Sequence, residues 1–161
     1  MKKGIIILII VSIICIASIL LFVFKDNNSK TNNIKSKDYE GVLEMIIEVN
    51  GKELIVELEN NDSSRKLLDK LSEKDIKVQA DDYGDFEKVG DLGFNLPTND
   101  HTITTTPGDI ILYQGNKLCL YYGTYTYSFT KLGHIKDITK EKLKELLGPN
   151  SVELVVKINK K

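Results

Sequence analysis

Apolar residues are spread unevenly along the chain, and their spacing predicts one long helix followed by a series of short strands. Residues 5–24 are apolar apart from a few small or mildly polar side chains. A helix rises about 1.5 Å per residue, so such a run spans the ~30 Å hydrocarbon core of a bilayer. The run ends in Leu21-Phe22-Val23-Phe24 and lacks the small residues of a signal-peptide cleavage site. We therefore predict an uncleaved transmembrane anchor over residues 1–25.

A polar segment over residues 26–40, rich in Asn, Ser and Lys, follows the anchor and predicts a flexible tether to a domain at 41–161. Only four residues precede the apolar run, which favours a single-pass signal-anchor in the cell membrane with the domain outside the cytoplasm. Lysines flank both ends of the run, so the positive-inside rule leaves the orientation open.

Within the domain, apolar and polar residues alternate in short runs separated by turn residues. Asn50-Gly51 lies between two such runs, at 42–49 and 52–58, and predicts a hairpin with a type I′ turn. A short helix is expected after the capping residues Asp62-Ser63-Ser64, and a second from the N-cap Thr139 to Gly148-Pro149.

The other runs predict further strands at 76–80, 109–113, 117–122, 125–130 and 152–158, with short extended pieces joined by turns across 81–106. Many short strands with only two short helices favour a mostly β domain that closes, or nearly closes, into a barrel.

The net charge of the domain excludes one class of partner. From Asp38 onward lie 22 of the 23 acidic residues but only 16 of the 22 basic ones, which gives a net charge near −6. An acidic domain repels a phosphate backbone, so we expect no nucleic-acid partner. Cys119 is the only cysteine of the domain, and no disulfide within it is therefore possible.

Five motifs in series resemble the bacterial cyclophilin-like fold proteins, which are small barrels that sometimes occur beside flavodoxin-like domains. They are residues 82–90 (DYGDFEKVG), 96–100 (LPTND), 107–110 (PGDI), 112–116 (LYQGN) and 122–123 (YG). The resemblance covers residues 42–158 and implies a closed eight-stranded β-barrel with two short helices. It implies no particular reaction, because the family as a whole has no assigned one.

Two functional hypotheses follow, and the first is a binding module. Tyrosines are numerous on the predicted strands, and a groove lined by phenol rings would suit a small molecule or an extended peptide. The residues expected to line it are Tyr83, Phe86, Glu87, Lys88, Tyr113 and Tyr122. An interaction domain without a pocket is a simpler possibility that the sequence leaves open.

The alternative is a weak peptidyl-prolyl isomerase, a folding catalyst for exported proteins. True cyclophilins carry the motif Phe-His-Arg-Val, and the nearest match is 86–89, which places Lys88 at the arginine position beside an apolar pocket of Phe86 and Phe129. An ammonium lacks the planar fork of a guanidinium. The competing interpretation of 86–88 is a strand with Phe86 inward and both charges outward.

No cofactor or metal is expected. The acidic residues between 81 and 91 match no Ca²⁺-binding loop, and the only two histidines of the sequence, His101 and His134, suggest no zinc site. Cys119 lies in an apolar run and is interpreted as a small core residue rather than a nucleophile.

Overall fold

The computed structural model describes residues 43–159, which form nine β-strands and two α-helices. In chain order the elements are β1 (Glu44–Val49), β2 (Lys52–Leu58), α1 (Asp62–Glu73), β3 (Ile76–Tyr83), β4 (Glu87–Asp91), β5 (His101–Thr104), β6 (Asp109–Tyr113), β7 (Lys117–Tyr121), β8 (Thr126–Ile135), α2 (Lys140–Leu147) and β9 (Val152–Ile158). The predicted anchor at 1–25 and tether at 26–40 lie outside the described residues. Neither helix within 43–159 has the length and apolarity that a membrane crossing demands.

Eight of the strands close into a barrel. They follow the order β2-β1-β9-β3-β4-β7-β6-β8, and β8 pairs back onto β2 to complete the circle. All strand pairings among residues 43–159 are antiparallel. The predicted fold, a mostly β closed eight-stranded barrel with two helices, is confirmed.

The ninth strand lies outside this circle. β5 pairs only with the first half of β8, from His101 opposite Phe129 to Thr104 opposite Thr126. The second half of β8 pairs with β6 and β2 instead. Residues 101–104 and 126–129 therefore form a two-stranded ribbon, called here the β5–β8 ribbon.

Local sequence signals account for the turns and helix ends. Asn50 and Gly51 both have positive φ, at 49° and 75°, as the predicted type I′ turn requires. Thr139 caps α2 as predicted, and Gly148 ends it with a φ of 64°. The cap of α1 is Asn61, one residue before the predicted group; its Oδ1 accepts a hydrogen bond from the Ser64 amide at 2.9 Å.

The barrel interior holds the main apolar core, and a second apolar cluster lies on the outer face of β6 and β7. Alternation divides these two strands, with Ile110, Leu112, Leu118 and Leu120 inside and Ile111, Cys119 and Tyr121 outside. The outer cluster is completed by Phe129 of β8, with Phe86, Val89, Ile103 and Tyr113 packed against it. Both faces of β6 and β7 are therefore buried, which explains their nearly continuous apolar sequences.

Candidate functional site

Strand β4 separates the predicted site residues into two groups. Glu87 lies opposite Tyr121 in the sheet, and Lys88 lies opposite Leu120. Successive side chains of a strand point to opposite faces, so Glu87 belongs to the outer face and Lys88 to the barrel interior. Phe86 and Tyr113 join Glu87 outside, and Tyr122 joins Lys88 inside. The single groove that the sequence analysis predicted is thus two separate sites.

The outer group forms a layer of stacked rings that we call the outer aromatic site. It is defined by Phe86, Glu87, Tyr121, Tyr125, Tyr127 and Phe129. The Phe86 ring stacks on Tyr125 with centroids 5.4 Å apart and on Tyr121 with centroids 5.9 Å apart. Phe129 meets Tyr121 edge-on at 5.8 Å, which joins β7 to the β5–β8 ribbon.

Two glycines make room for Phe86. Gly84 has a φ of 61° in the turn between β3 and β4, and a Cβ added there would lie 2.4 Å from Phe86 Cε1. A Cβ on Gly123 would lie 2.5 Å from Phe86 Cβ. The Phe86 carbonyl also accepts hydrogen bonds from the amides of Tyr122 at 2.9 Å and Gly123 at 2.8 Å. Phe86 is therefore held by its backbone as well as by its ring contacts.

Two tyrosines of this site, and a third beside it, are open to solvent. Tyr125 and Tyr127 are 48% and 50% exposed, and Tyr83, which meets the Phe86 ring edge-on, is 61% exposed. Tyr127 and Phe129 share one face of β8, and Tyr125, just before this strand, stacks on Tyr127 with ring centroids 6.4 Å apart. Exposed aromatic side chains that lie together are a common feature of surfaces that bind ligands or partners.

Glu87 is the buried acidic group of the outer aromatic site. Its side chain is only 8% exposed, and its Oε2 is buried without a hydrogen-bond partner. Burial raises the pKa of Glu87, and hydrogen bonds from the Tyr121 hydroxyl and the Cys119 thiol only partly oppose this. An unpaired buried acceptor costs free energy, so this oxygen is the most conspicuous polar atom of the outer face.

The thiol of Cys119 is not an activated nucleophile. Burial, followed by the nearby Glu87 carboxyl, raises its pKa far above the ordinary value. A thiol in this state carries almost no thiolate at neutral pH. Its interpretation as a core residue agrees with its place between β4 and β6 in the outer cluster.

The inner group is a buried ion pair. Lys88 has no exposed surface, and its Nζ donates hydrogen bonds to Asp82 Oδ1 and to the Asn150 carbonyl, both at 2.8 Å. The Tyr122 hydroxyl also donates to Asp82. Burial alone would raise the pKa of Asp82, but the hydrogen bonds from Lys88 and Tyr122 outweigh it and the pKa lies below its ordinary value. The charge of Lys88 is thus balanced by that of Asp82 inside the barrel.

The orientation expected for Phe86 and Lys88 is wrong, although Glu87 does lie on the outer face as expected. Phe86 lies on the outer face and Lys88 lies inside, whereas the sequence interpretation had Phe86 inward and the charges outward. The groove hypothesis also placed Glu87 and Lys88 together, although adjacent residues of a strand cannot share a face. That alternation is the signal that would have separated them, whereas the pairing of Glu87 with Tyr121 depends on the register of β4 with β7.

Metal binding gains no support from the described part of the chain, because no group of three or more His, Cys, Asp or Glu side chains in it has the arrangement of a metal site.

Comparison with known proteins supplies a family for this fold. The model of the cyclophilin-like family matches residues 47–159. The solution structure of a hypothetical protein from Archaeoglobus fulgidus has a similar fold, with a TM-score of 0.54 and 17% sequence identity over 73% of this chain and 95% of that one. No curated protein matches the sequence. The family match spans well over half of the chain, and the chain therefore belongs to the cyclophilin-like family.

Proposed function

We propose that the domain is a binding module that holds a small molecule or an extended peptide against the outer aromatic site. The observation that carries this proposal is the unpartnered Oε2 of Glu87, buried among aromatic rings. A ligand that donates a hydrogen bond to this oxygen would relieve its desolvation cost. The half-exposed rings of Tyr125 and Tyr127 supply apolar surface for the body of such a ligand.

An isomerase mechanism that uses Lys88 gains no support from this geometry. A cation that stabilises a twisted peptide bond has to reach the substrate. The Lys88 ammonium is instead buried and hydrogen-bonded to Asp82. A prolyl-isomerisation assay tests the binding proposal against this alternative. Turnover that vanishes in Lys88→Ala but persists in Glu87→Gln would contradict the binding proposal.

We also propose, from the sequence of residues 5–24 alone, that the domain is anchored to the cell membrane and exposed outside the cytoplasm. In that position the outer aromatic site would meet extracytoplasmic ligands. Protease digestion of intact cells tests the orientation: a domain that is digested supports the proposal, and a domain protected until the membrane is opened contradicts it.

The binding proposal is tested by titrating a ¹⁵N-labelled fragment, residues 38–161, with a small-molecule fragment library and a library of extended peptides. We expect saturable shifts at the amides of Phe86, Tyr121 and Tyr125. Tyr125→Ala should weaken the binding that these shifts report. Ile55→Ala is the matched control, because Ile55 is 42% exposed but belongs to β2, outside the outer aromatic site. Saturable shifts confined to other surfaces, or none from either library, would refute the proposal.

A further inference from the structure

We infer that the ligand of the outer aromatic site carries a primary ammonium or guanidinium group, which Glu87 receives. This inference rests on the proposed function and names the chemistry of the ligand. It follows from the charge, the rings and the hydrogen-bonding capacity of the site, taken in turn below.

The carboxyl of Glu87 lacks a basic partner within residues 43–159. None of the ion pairs of this part of the chain includes it. Lys88, its neighbour in sequence, is turned into the barrel and pairs with Asp82 at 2.8 Å. The hydroxyl of Tyr121 and the thiol of Cys119 are neutral donors. The site thus offers a buried carboxyl with no basic partner among these residues, and a cationic ligand would pair with it and favour its ionised form.

The rings beside Glu87 favour a cation as well. Phe86 stacks on both Tyr121 and Tyr125; Tyr121 is buried, whereas Tyr125 is half-exposed. The face of an aromatic ring attracts a cation within about 6 Å of its centroid, more strongly when the cation is desolvated. A buried carboxyl and several ring faces in one place together select positive charge over neutral apolar groups.

Of the two rings that stack on Phe86 at this site, Tyr125 is the one open to solvent. Phe86 is fixed by Gly84, Gly123 and two backbone hydrogen bonds. Tyr125 precedes β8 in a short loop, and its ring is 48% exposed. Exposed side chains change rotamer in picoseconds to nanoseconds, so Tyr125 is free to turn aside for a ligand. Its return over the ligand would add a ring contact to the bound cation.

The unpartnered oxygen sets the kind of cation. Oε2 of Glu87 accepts a hydrogen bond, which a primary ammonium or a guanidinium donates. A quaternary ammonium has no N–H group, so it gains only the ring contacts. This difference separates the role of Glu87 from that of the rings.

The test uses the full-length chain in a non-ionic detergent and measures dissociation constants by isothermal titration calorimetry. The probes are butylguanidinium, butylammonium, tetramethylammonium and the neutral 1-butanol. We expect the first two to bind at least tenfold more tightly than 1-butanol, and tetramethylammonium to lie between. Equal affinity for butylammonium and 1-butanol would overturn the inference, and so would equal affinity for tetramethylammonium and butylguanidinium.

Variants assign the effect to Glu87. Glu87→Gln keeps the shape of the side chain and should weaken butylguanidinium binding at least tenfold while changing 1-butanol binding less than twofold. Asp91→Asn is the matched control, since Asp91 is an exposed acid of the same strand that pairs with Lys117, and it should change neither. If both variants lose affinity for butylguanidinium to a similar extent, general electrostatic attraction explains the effect and the inference is overturned. Circular dichroism of each variant confirms that it is folded.

A last arm finds the source of the cation and separates the two proposals. A five-residue peptide with a central arginine is compared with the same peptide carrying neutral citrulline. Tighter binding of the arginine peptide than of butylguanidinium supports a peptide side chain as the source, and weaker binding supports a free small molecule. If neutral library compounds shift the outer aromatic site but cations bind no better, the inference fails and the proposed function stands. If no library compound and no cation binds there, both fail.

Discussion

Removal of the Asp82 carboxylate tests the buried ion pair inside the barrel. Lys88 Nζ has two hydrogen-bond acceptors, Asp82 Oδ1 and the Asn150 carbonyl, each at 2.8 Å. Its side chain has no exposed surface, whereas that of Asp82 is 26% exposed. Asp82→Ala therefore leaves an ammonium group buried with one neutral acceptor. Lys88→Met leaves a carboxylate that water reaches and that keeps its hydrogen bond from Tyr122.

The two changes should differ in cost because the two charges differ in burial. Removing one partner of a buried ion pair costs about 3–5 kcal/mol when the other charge stays desolvated, which is the case for Asp82→Ala. For Lys88→Met we expect about 1–2 kcal/mol, from lost charge-assisted hydrogen bonds. The double variant should then be more stable than Asp82→Ala alone, since it no longer buries an unpaired charge.

Urea unfolding of residues 38–161, followed by circular dichroism, measures these free energies. Glu153→Ala is the control, because its ion pair with Lys77 is largely exposed and should be worth about 0–1 kcal/mol. Our reasoning is refuted if Asp82→Ala costs no more than Glu153→Ala. It is also refuted if adding Lys88→Met to Asp82→Ala lowers the stability further.

Three further predictions concern the outer aromatic site and a helix end. Glu87→Gln should stabilise the domain near pH 7, and this gain in stability should shrink towards pH ~4. Burial raises the pKa of Glu87 in the folded state above its ordinary value of 4.5. The parent protein therefore loses stability as the pH rises from that value through the folded pKa. Urea unfolding across this pH range measures the gain, and a gain independent of pH would contradict its cause. Gly123→Ala should lower the free energy of unfolding by about 1–3 kcal/mol and alter the NMR shifts of the Phe86 ring, because the new Cβ would lie 2.5 Å from Phe86 Cβ. If stability and shifts are unchanged, Gly123 does not hold the ring in place. Thr139→Ala should lower the free energy of unfolding by about 1 kcal/mol through loss of the N-cap, without changing the NMR shifts of the outer aromatic site. Thr139→Ser keeps the capping hydroxyl and should change the stability little. Equal losses of stability in the two variants would count against the cap.

The parts of the fold that sequence predicted well are those with local causes. The turn at Asn50-Gly51 needs two residues with positive φ, and no distant contact is required to choose it. The strand at Val152–Ile158 was predicted with its observed ends, since Pro149 and the polar 150–151 pair precede it. The N-cap Thr139 is likewise a property of a few neighbouring residues.

The parts that sequence missed depend on distant partners. β5 is short and polar, and it is a strand because His101–Thr104 pairs with residues 126–129 of β8. β8 was expected to end at 130 but continues to Ile135, because its second half pairs with both β6 and β2. Gly133 permits this approach, since a Cβ there would lie 2.4 Å from the Glu57 carbonyl oxygen. Such pairings become visible only when the barrel closes.

The candidate site shows the same division. The tyrosines were recognised as a group and Phe129 was expected beside Phe86, but their assembly around Glu87 required the registers of β4, β7 and β8. Lys88 was the reverse case, since a match to a short motif suggested an exposed cation where the barrel holds a buried one. Burial of a lysine is rare, and it became plausible only once Asp82 and Asn150 were seen beside it.

The sign of the charge on each face of β4 gives the strongest guide to what the domain does. A prolyl isomerase that used Lys88, as the motif match suggests, would present this cation to the substrate. Lys88 is instead inside the barrel, in an ion pair with Asp82. The face that carries the exposed tyrosines presents an acceptor instead, the Oε2 of Glu87. A site with an unpaired acceptor and aromatic walls suits ligands that donate hydrogen bonds, and it suits them better still when they carry positive charge. Membership of the family fixes the barrel, whereas the surface chemistry of the domain depends on the side chains that β4 places on each of its two faces.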